Sequence, residues 1–278
     1  MREIHLVATD LDGTFLRDDK TISKANLNAL QDLRNRGVVT VAATGRNLFK
    51  IHEVIPKEVP FDYYVFSSGA GVFDKHKEKH IFGQNLPKES ALKLIRYFMD
   101  EDLNFHAFWP VPSNHKLWYY RGSEICHEFE RYFAFHNSRS FELPADGKID
   151  SDVCQFLVVI PYDEARFMIM KSNIEQLCPM ARVIRSSSPL HTNYIWLEIF
   201  HKDVSKGNGV LHLCNMLGID PQQTLGIGND YNDIDLLEFT AHAFITNNAP
   251  EIIKKQYVLV PSNEEDAFAH VIEKFVQS

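Results

Sequence analysis

Two periods run through the chain. Short uninterrupted apolar runs, of the kind that make strands buried on both faces, alternate with stretches whose apolar residues return every three or four positions. The first run, Leu6-Val7-Ala8, stops in Asp10-Leu11-Asp12-Gly13-Thr14. Ser23 then reads as a helix cap; Leu27, Leu30 and Leu33 follow at helical spacing, and Gly37 ends the helix. Val38 to Ala43 is a second buried strand, ending in Thr44-Gly45-Arg46. Strand, helix and strand in about forty residues form a βαβ unit with a right-handed crossover. Asp10 and Thr44 should therefore emerge side by side at one edge of a parallel sheet, the edge where ligands bind in open α/β folds. A helix over 47–55, a third strand at Tyr63 to Ser67 and a hairpin pairing Val72-Phe73 with Ile81-Phe82 complete this part.

From about residue 83 the pattern changes. A predicted helix over 87–101 precedes the aromatic, strand-like runs Phe105 to Trp109 and Leu117 to Tyr120. Then come a helix near 123–136, a strand at Phe156 to Ile160, a helix over 163–177, and strands at Arg182 to Arg185 and Tyr194 to Ile199. Strands joined by short links, with a few helices, suggest an α+β domain with an antiparallel sheet. Trp109, Trp118, Tyr119 and Tyr120 read as the core of that sheet rather than a substrate-facing wall. His191 and Asn193 read as ordinary polar loop residues. Near His201 the first pattern resumes. A helix runs from Lys206-Gly207 to Leu217, and Gly218 stops it. A strand at Thr224 to Gly228 ends in Asn229-Asp230-Tyr231-Asn232-Asp233, and late strands at Ala243 to Ile245 and Tyr257 to Val260 precede a closing helix. The expected organisation is a discontinuous α/β domain, residues 1–82 and 201–278, interrupted by a second domain over 83–200.

Composition narrows the function classes. The 278 residues suit two domains, and 45% hydrophobic with 24% charged residues is ordinary for a globular chain. A net charge of −8 without a long basic run argues against nucleic acid or an anionic membrane as partner. A small anionic substrate stays compatible, because a metal and a few local cations reverse the field at one site. Four scattered cysteines without CxxC spacing argue against a zinc site or redox pair. Reduced thiols, no room for a signal peptide before the first strand and no membrane-length apolar stretch together suggest a cytoplasmic protein.

Asp10 and Asp12 repel each other unless a cation lies between them or one carries a proton. A hard cation with oxygen ligands, such as Mg²⁺, is one answer; a strand merely ending in a polar turn is the other. Three further strand ends or helix starts tilt the balance: Thr44-Gly45-Arg46, Lys206, and the acidic cluster 229–233. Lysine in the first turn of a helix opposes the helix dipole, which favours an anion held there. A carboxylate nucleophile, a second carboxyl as acid and base, and a hydroxyl, a lysine, a metal and backbone N–H groups around the phosphate are the parts phosphoryl transfer needs.

Asp10-Leu11-Asp12-Gly13-Thr14, Thr44, Lys206 and Gly228-Asn229-Asp230-Tyr231-Asn232-Asp233 resemble, in order, the four motifs of the haloacid dehalogenase superfamily. The insert resembles the C2B cap of its Cof-type subfamily, and Phe66-Ser67-Ser68-Gly69-Ala70 is similar to the stretch that precedes that cap. The resemblance covers nearly the whole chain. It implies a Rossmann-like parallel-sheet core with an inserted α+β cap that sets specificity. It also implies that Asp10 is nucleophile and Mg²⁺ ligand, and that Asp12 is acid/base with its carbonyl on the metal. Lys206 shields Asp10 and holds phosphate, while Leu11, Thr44, Gly45, Arg46 and Asn232 form the phosphate- and substrate-binding set. Asp233 orients Lys206 or joins the metal site. The presence of Asp12 points to the phosphatases of the superfamily rather than its dehalogenases. One position departs: Asn229 stands where the family usually has an aspartate on the metal. Asn229 is the favoured ligand through its amide oxygen, with Asp230 the alternative, and weaker metal affinity is expected if no charge is recovered. The implied function is a Mg²⁺-dependent phosphatase of small phosphorylated metabolites, sugar phosphates among them. A low-turnover metabolite-binding or regulatory protein on this scaffold, and a phosphomutase, are the alternatives.

Overall fold

A computed structural model describes residues 3–187 and 193–276. They fall into two compact units, Met1–Gly83 with Val204–Ser278, and Gln84–Asp203. His191 lies outside the described residues; Asn193 is exposed, and its carbonyl accepts from the Tyr162 N–H at 2.9 Å.

The first unit opens with β1 (Leu6–Thr9), α1 (Lys24–Asn35), β2 (Val39–Ala43), α2 (Leu48–Val54), β3 (Tyr63–Phe66), β4 (Gly71–Asp74) and β5 (Lys79–Gly83). The second contains α3 (Lys88–Asp100), β6 (Phe105–Phe108), β7 (Leu117–Tyr120), α4 (His127–His136), β8 (Ser140–Glu142), β9 (Gln155–Pro161), α5 (Glu164–Leu177), β10 (Ala181–Ser187) and β11 (Tyr194–His201). The chain then returns through α6 (Lys206–Leu217), β12 (Thr224–Gly228), α7 (Ile234–Phe239), β13 (His242–Thr246), α8 (Glu251–Lys254), β14 (Val258–Val260) and α9 (Ala267–Phe275).

The first unit is built on one eight-stranded sheet in the order β14-β13-β12-β1-β2-β3-β4-β5. It is parallel from β14 to β3, and β4 and β5 add antiparallel strands at one edge. All four residues of β1 are buried. Beside it β2 and β12 lie in register, Thr9 facing both Ala42 and Ile227. The chain thus leaves β1 toward one side of the sheet and later returns on the other. That reversal opens a crevice at the carboxyl end of β1, where Asp10 follows.

Ser23 caps α1, its hydroxyl accepting from the Asn26 N–H at 3.0 Å. Leu30 and Leu33 are fully buried, whereas Leu27 is 39% exposed. The inward position beside it is taken by Asn26, which donates to the Phe15 carbonyl and accepts from the Ala269 N–H, both at 3.0 Å. A buried amide that ties three segments together outranks the apolar spacing there. A similar clasp joins the loop after β1 to the end of the chain. The Asp18 N–H donates to Glu264 at 2.7 Å, Asn263 donates to the Leu16 carbonyl and to Asp18, and Arg17 pairs with Asp266.

The second unit holds a six-stranded sheet, β10-β11-β9-β6-β7-β8. It is antiparallel except between β7 and β8. One face packs Phe105, Phe156, Val158, Ile160 and Leu197 against Leu94, Ile95 and Phe98 of α3 and Ile174 of α5. On the other face α4 sets Phe129 over His106 and Tyr132 against Trp196. Trp109 lies over Trp118, Tyr119 meets Phe133, and Trp118 and Tyr120 pack on the core. The expected helix near 123–136 begins only at His127, because Asp102 holds Ser123 through its N–H. The short strand β8 has no counterpart in the sequence pattern. Among the described residues all four cysteines are buried and free, and no helix is long and apolar enough to cross a membrane.

Candidate active site

Asp10 continues the pairing of β1, its N–H donating to the Ile227 carbonyl at 2.9 Å. Its carboxylate is therefore fixed at the crevice. Lys206 reaches it from the start of α6, with Nζ 2.6 Å from Asp10 Oδ1 and 2.5 Å from Asp233 Oδ1. The Lys206 side chain is fully buried. Three glycines let α6 approach closely enough to deliver it. A Cβ on Gly207 would stand 2.2 Å from the Asp235 carbonyl oxygen, and one on Gly209 2.4 Å from Val65. Gly69, at φ +99, runs so close to Ser205 that a Cβ would lie 2.0 Å from its carbonyl oxygen. Ser205 caps the helix. Asp233 spends its other oxygen on the N–H groups of Asn229 and Asp230, at 2.8 and 3.0 Å. Gly228 makes room for it, since a Cβ there would stand 2.5 Å from Asp233 Cβ.

Two carboxyl groups therefore share one buried ammonium, and of the three side chains only that of Asp10 keeps some exposure. Burial pushes the Asp10 carboxyl up; Lys206 pulls it down, and Asp233 and Asp12 push it further up. Burial works against the charge of Lys206, but Asp10 and Asp233 overcome it and hold its pKa above the ordinary lysine value. The ammonium stays charged between the two carboxyl groups.

A set of groups that could hold a cation faces the other oxygen of Asp10. The amide of Asn229 stands 3.2 Å from Asp10 Oδ2, 3.0 Å from the Asp12 carbonyl oxygen and 3.1 Å from Thr14 Oγ1. With its oxygen turned inward, Asn229 joins a carboxylate and a backbone carbonyl in a compact cluster of hard oxygen donors. That chemistry fits Mg²⁺ rather than a soft metal. Among the described residues no three His, Cys, Asp or Glu side chains form a metal-binding group; the donors here are of mixed kind. Asp230 and Asp233 do not enter this cluster. Asp230 is exposed and caps its own turn by accepting from the Tyr231 N–H at 2.7 Å, and both oxygens of Asp233 are taken as described.

The phosphate-binding candidates gather beside Asp10. Thr44 is buried, and its hydroxyl accepts from the Arg46 N–H at 3.1 Å. A Cβ on Gly45 would lie 3.6 Å from Ser68 Oγ and 3.9 Å from Asn232 Nδ2, so these three are neighbours. Ser67 and Ser68 adopt left-handed backbone angles, φ 50° and 56°, and both N–H groups are tied to the Thr44–Arg46 turn. Held strain of this kind is characteristic of functional loops. Leu11 is buried, and its carbonyl closes the turn by accepting from the N–H groups of Thr14, Phe15 and Leu16.

Arg46 does not stand free for substrate. It grips Asp12 with two bonds, Nε to Oδ2 at 2.5 Å and Nη2 to Oδ1 at 2.7 Å. Lys20, which the sequence places in an ordinary solvated loop, completes the grip at 2.9 Å from Asp12 Oδ1. Burial alone would raise the Asp12 carboxyl, but Arg46 and Lys20 together hold it below its ordinary value. Lys20 sits at φ 68° in the turn closed by the Arg17 carbonyl. Nothing in the local sequence announces that geometry.

The family model of the haloacid dehalogenase-like hydrolases matches residues 7–272. The chain belongs to this family and is an enzyme, a hydrolase. Bacillus subtilis YcsE, a 5-amino-6-(5-phospho-D-ribitylamino)uracil phosphatase, is 26% identical over 99% of this chain and 96% of its own length. The fold is shared with Thermotoga maritima TM0651, at TM-score 0.79 and 21% identity, covering 99% of this chain and 98% of that one. It is shared too with the HAD subclass IIB sugar phosphatase BT4131, at TM-score 0.74 and 17% identity, covering 97% and 98%.

Proposed function

We propose that this hydrolase is a phosphatase of small phosphorylated metabolites, sugar phosphates among them, acting through an aspartyl-phosphate on Asp10. The observation that carries the reading is the placement of Asp10. One oxygen is paired to a buried lysine 2.6 Å away, and the other belongs to the oxygen cluster with the Asp12 carbonyl and Asn229. The phosphatase names of the relatives support the same reaction class. Asp10, the Asp12 carbonyl and Asn229 would hold Mg²⁺, which when bound supplies positive charge beside the phosphate.

Asp10 attacks phosphorus, and the bond from phosphorus to the leaving oxygen breaks. Asp12 gives that oxygen a proton. Water then attacks the aspartyl-phosphate while Asp12 takes a proton from it, releasing phosphate and restoring both carboxyl groups. Thr44, Gly45, Ser68, Asn232 and Lys206 offer the hydroxyl, N–H and ammonium donors that hold the non-bridging oxygens. For the first step Asp12 must carry a proton. Its ion pairs with Arg46 and Lys20 therefore belong to the resting state and loosen when an anionic substrate enters. The insert, Gln84–Asp203, is the element that selects the leaving group.

The test is phosphate release from p-nitrophenyl phosphate with Mg²⁺ against a chelated control, for the native chain and Asp10→Asn. Turnover that needs Mg²⁺ and vanishes in a folded Asp10→Asn protein is expected. Undiminished hydrolysis by that variant overturns the mechanism. Product analysis, free phosphate against an isomerised ester, separates a phosphatase from a phosphomutase.

A further inference from the structure

We propose that Asn229 is an internal substitute for the cation, its amide nitrogen facing the oxygen cluster in metal-free protein and its amide oxygen facing it once metal is bound. The inference rests on the metal-dependent reading above and deepens it. Turned one way, the Asn229 nitrogen, with two N–H groups to give, lies within donating reach of Asp10 Oδ2 at 3.2 Å, the Asp12 carbonyl at 3.0 Å and Thr14 Oγ1 at 3.1 Å. Turned the other way, the same place is held by Oδ1, which accepts from the Thr14 hydroxyl at 3.1 Å. In that orientation Oδ1 also faces two acceptors, an arrangement that is favourable only with a cation among them. Thr14 is fully buried, and its hydroxyl serves either state, because a hydroxyl both donates and accepts as it rotates.

Gly13 makes room for the Asn229 side chain, whichever way its amide is turned. It has φ +77, and a Cβ there would stand 2.5 Å from the Asn229 amide. An aspartate in this slot has no donor to offer, so the empty cluster would set two carboxylates and a carbonyl against one another. Asparagine relieves that repulsion. Metal must then displace the hydrogen bonds of the amide N–H groups as well as water, and apparent affinity falls by the fraction of protein holding the amide the wrong way round. The device makes loading depend on metal concentration while leaving the metal-free fold intact.

The experiment follows the Asn229 side-chain amide of the ¹⁵N-labelled full chain, assigned by triple-resonance methods, through a Mg²⁺ titration run alongside calorimetry. In metal-free protein its protons should exchange slowly with water. At Mg²⁺ concentrations that saturate the calorimetric signal, the cross-peak should move and exchange should quicken. Asn229→Asp should bind Mg²⁺ at least tenfold more tightly and melt lower than the native chain when metal-free. A cross-peak unmoved at saturation overturns the amide turn and leaves the phosphatase reading standing. Unchanged or weaker Mg²⁺ binding by Asn229→Asp overturns it as well. Absence of Mg²⁺ binding to either protein overturns both. If Asn229→Asp does not fold, the native-chain spectra decide alone.

Discussion

His106 gives the sharpest quantitative prediction. It is fully enclosed in the second unit, stacked on Phe129 at 4.3 Å with Tyr132 edge-on at 5.1 Å. Neither ring nitrogen has a hydrogen-bond partner. Burial drives its pKa down from 6.5 to about 3, with repulsion from His136 and Arg121 adding to the effect. The folded form thus releases a proton that the unfolded chain keeps. Stability from this group is complete above the unfolded value and is lost as pH falls from 6.5 toward 3. At pH 5 the unfolded chain gains about 1.5 pH units' worth of protonation energy that the folded one does not. At about 1.4 kcal/mol per unit, the loss is roughly 2 kcal/mol. All three tryptophans, Trp109, Trp118 and Trp196, lie in this unit. Urea unfolding followed by tryptophan fluorescence therefore reads it directly. Comparing the native chain with His106→Leu at pH 8 and pH 5 cancels the other titrating groups. The native protein should lose about 2 kcal/mol more than the variant between those pH values. Equal losses in both would refute the reasoning that an unpartnered, aromatic-walled imidazole is held neutral.

Two substitutions probe the catalytic end of the first unit. Arg46→Lys weakens the two-pronged hold that keeps the Asp12 carboxyl below its ordinary value; the pH above which kcat declines should move up, with KM changed far less. A large rise in KM with kcat preserved would instead assign Arg46 to the phosphate. Gly228→Ala forces a Cβ to within 2.5 Å of Asp233 Cβ, which should cost about 1–3 kcal/mol in thermal unfolding and lower kcat by displacing Lys206. Unaltered melting and turnover would show that Asp233 does not need its present seat.

The parts legible in the sequence are those with a local signature. Leu6 to Thr9 is a short apolar run, and its end at Asp10-Leu11-Asp12-Gly13 could be placed because strand ends and acidic turns are written in adjacent residues. The same holds for Thr44 after β2 and Asn229 after β12. What was not legible depends on reach and on partners far along the chain. Lys20 looks like any loop lysine until the left-handed turn at φ 68° aims it at Asp12. Arg46 reads as a substrate contact until Asp12 is seen to occupy one whole edge of its guanidinium, Nε and Nη2. Asn26 breaks the helical period of α1 because Phe15 and Ala269, distant in sequence, need its amide. Resemblance to the family pairs Lys206 with Asp10, but only packing shows why three glycines are needed to bring α6 that close.

The clasp between the loop after β1 and residues 263–266 also sets the order in which the molecule can be made. The insert is one continuous stretch and can complete its sheet while the rest is still being synthesised. The first unit cannot. Asp10 waits 196 residues for Lys206, roughly 10–40 s at ordinary rates of translation. Its loop is not secured until Asn263 and Glu264 have left the ribosome. The nascent chain therefore carries Asp10 long before Lys206, Asn263 and Glu264 arrive to complete its surroundings.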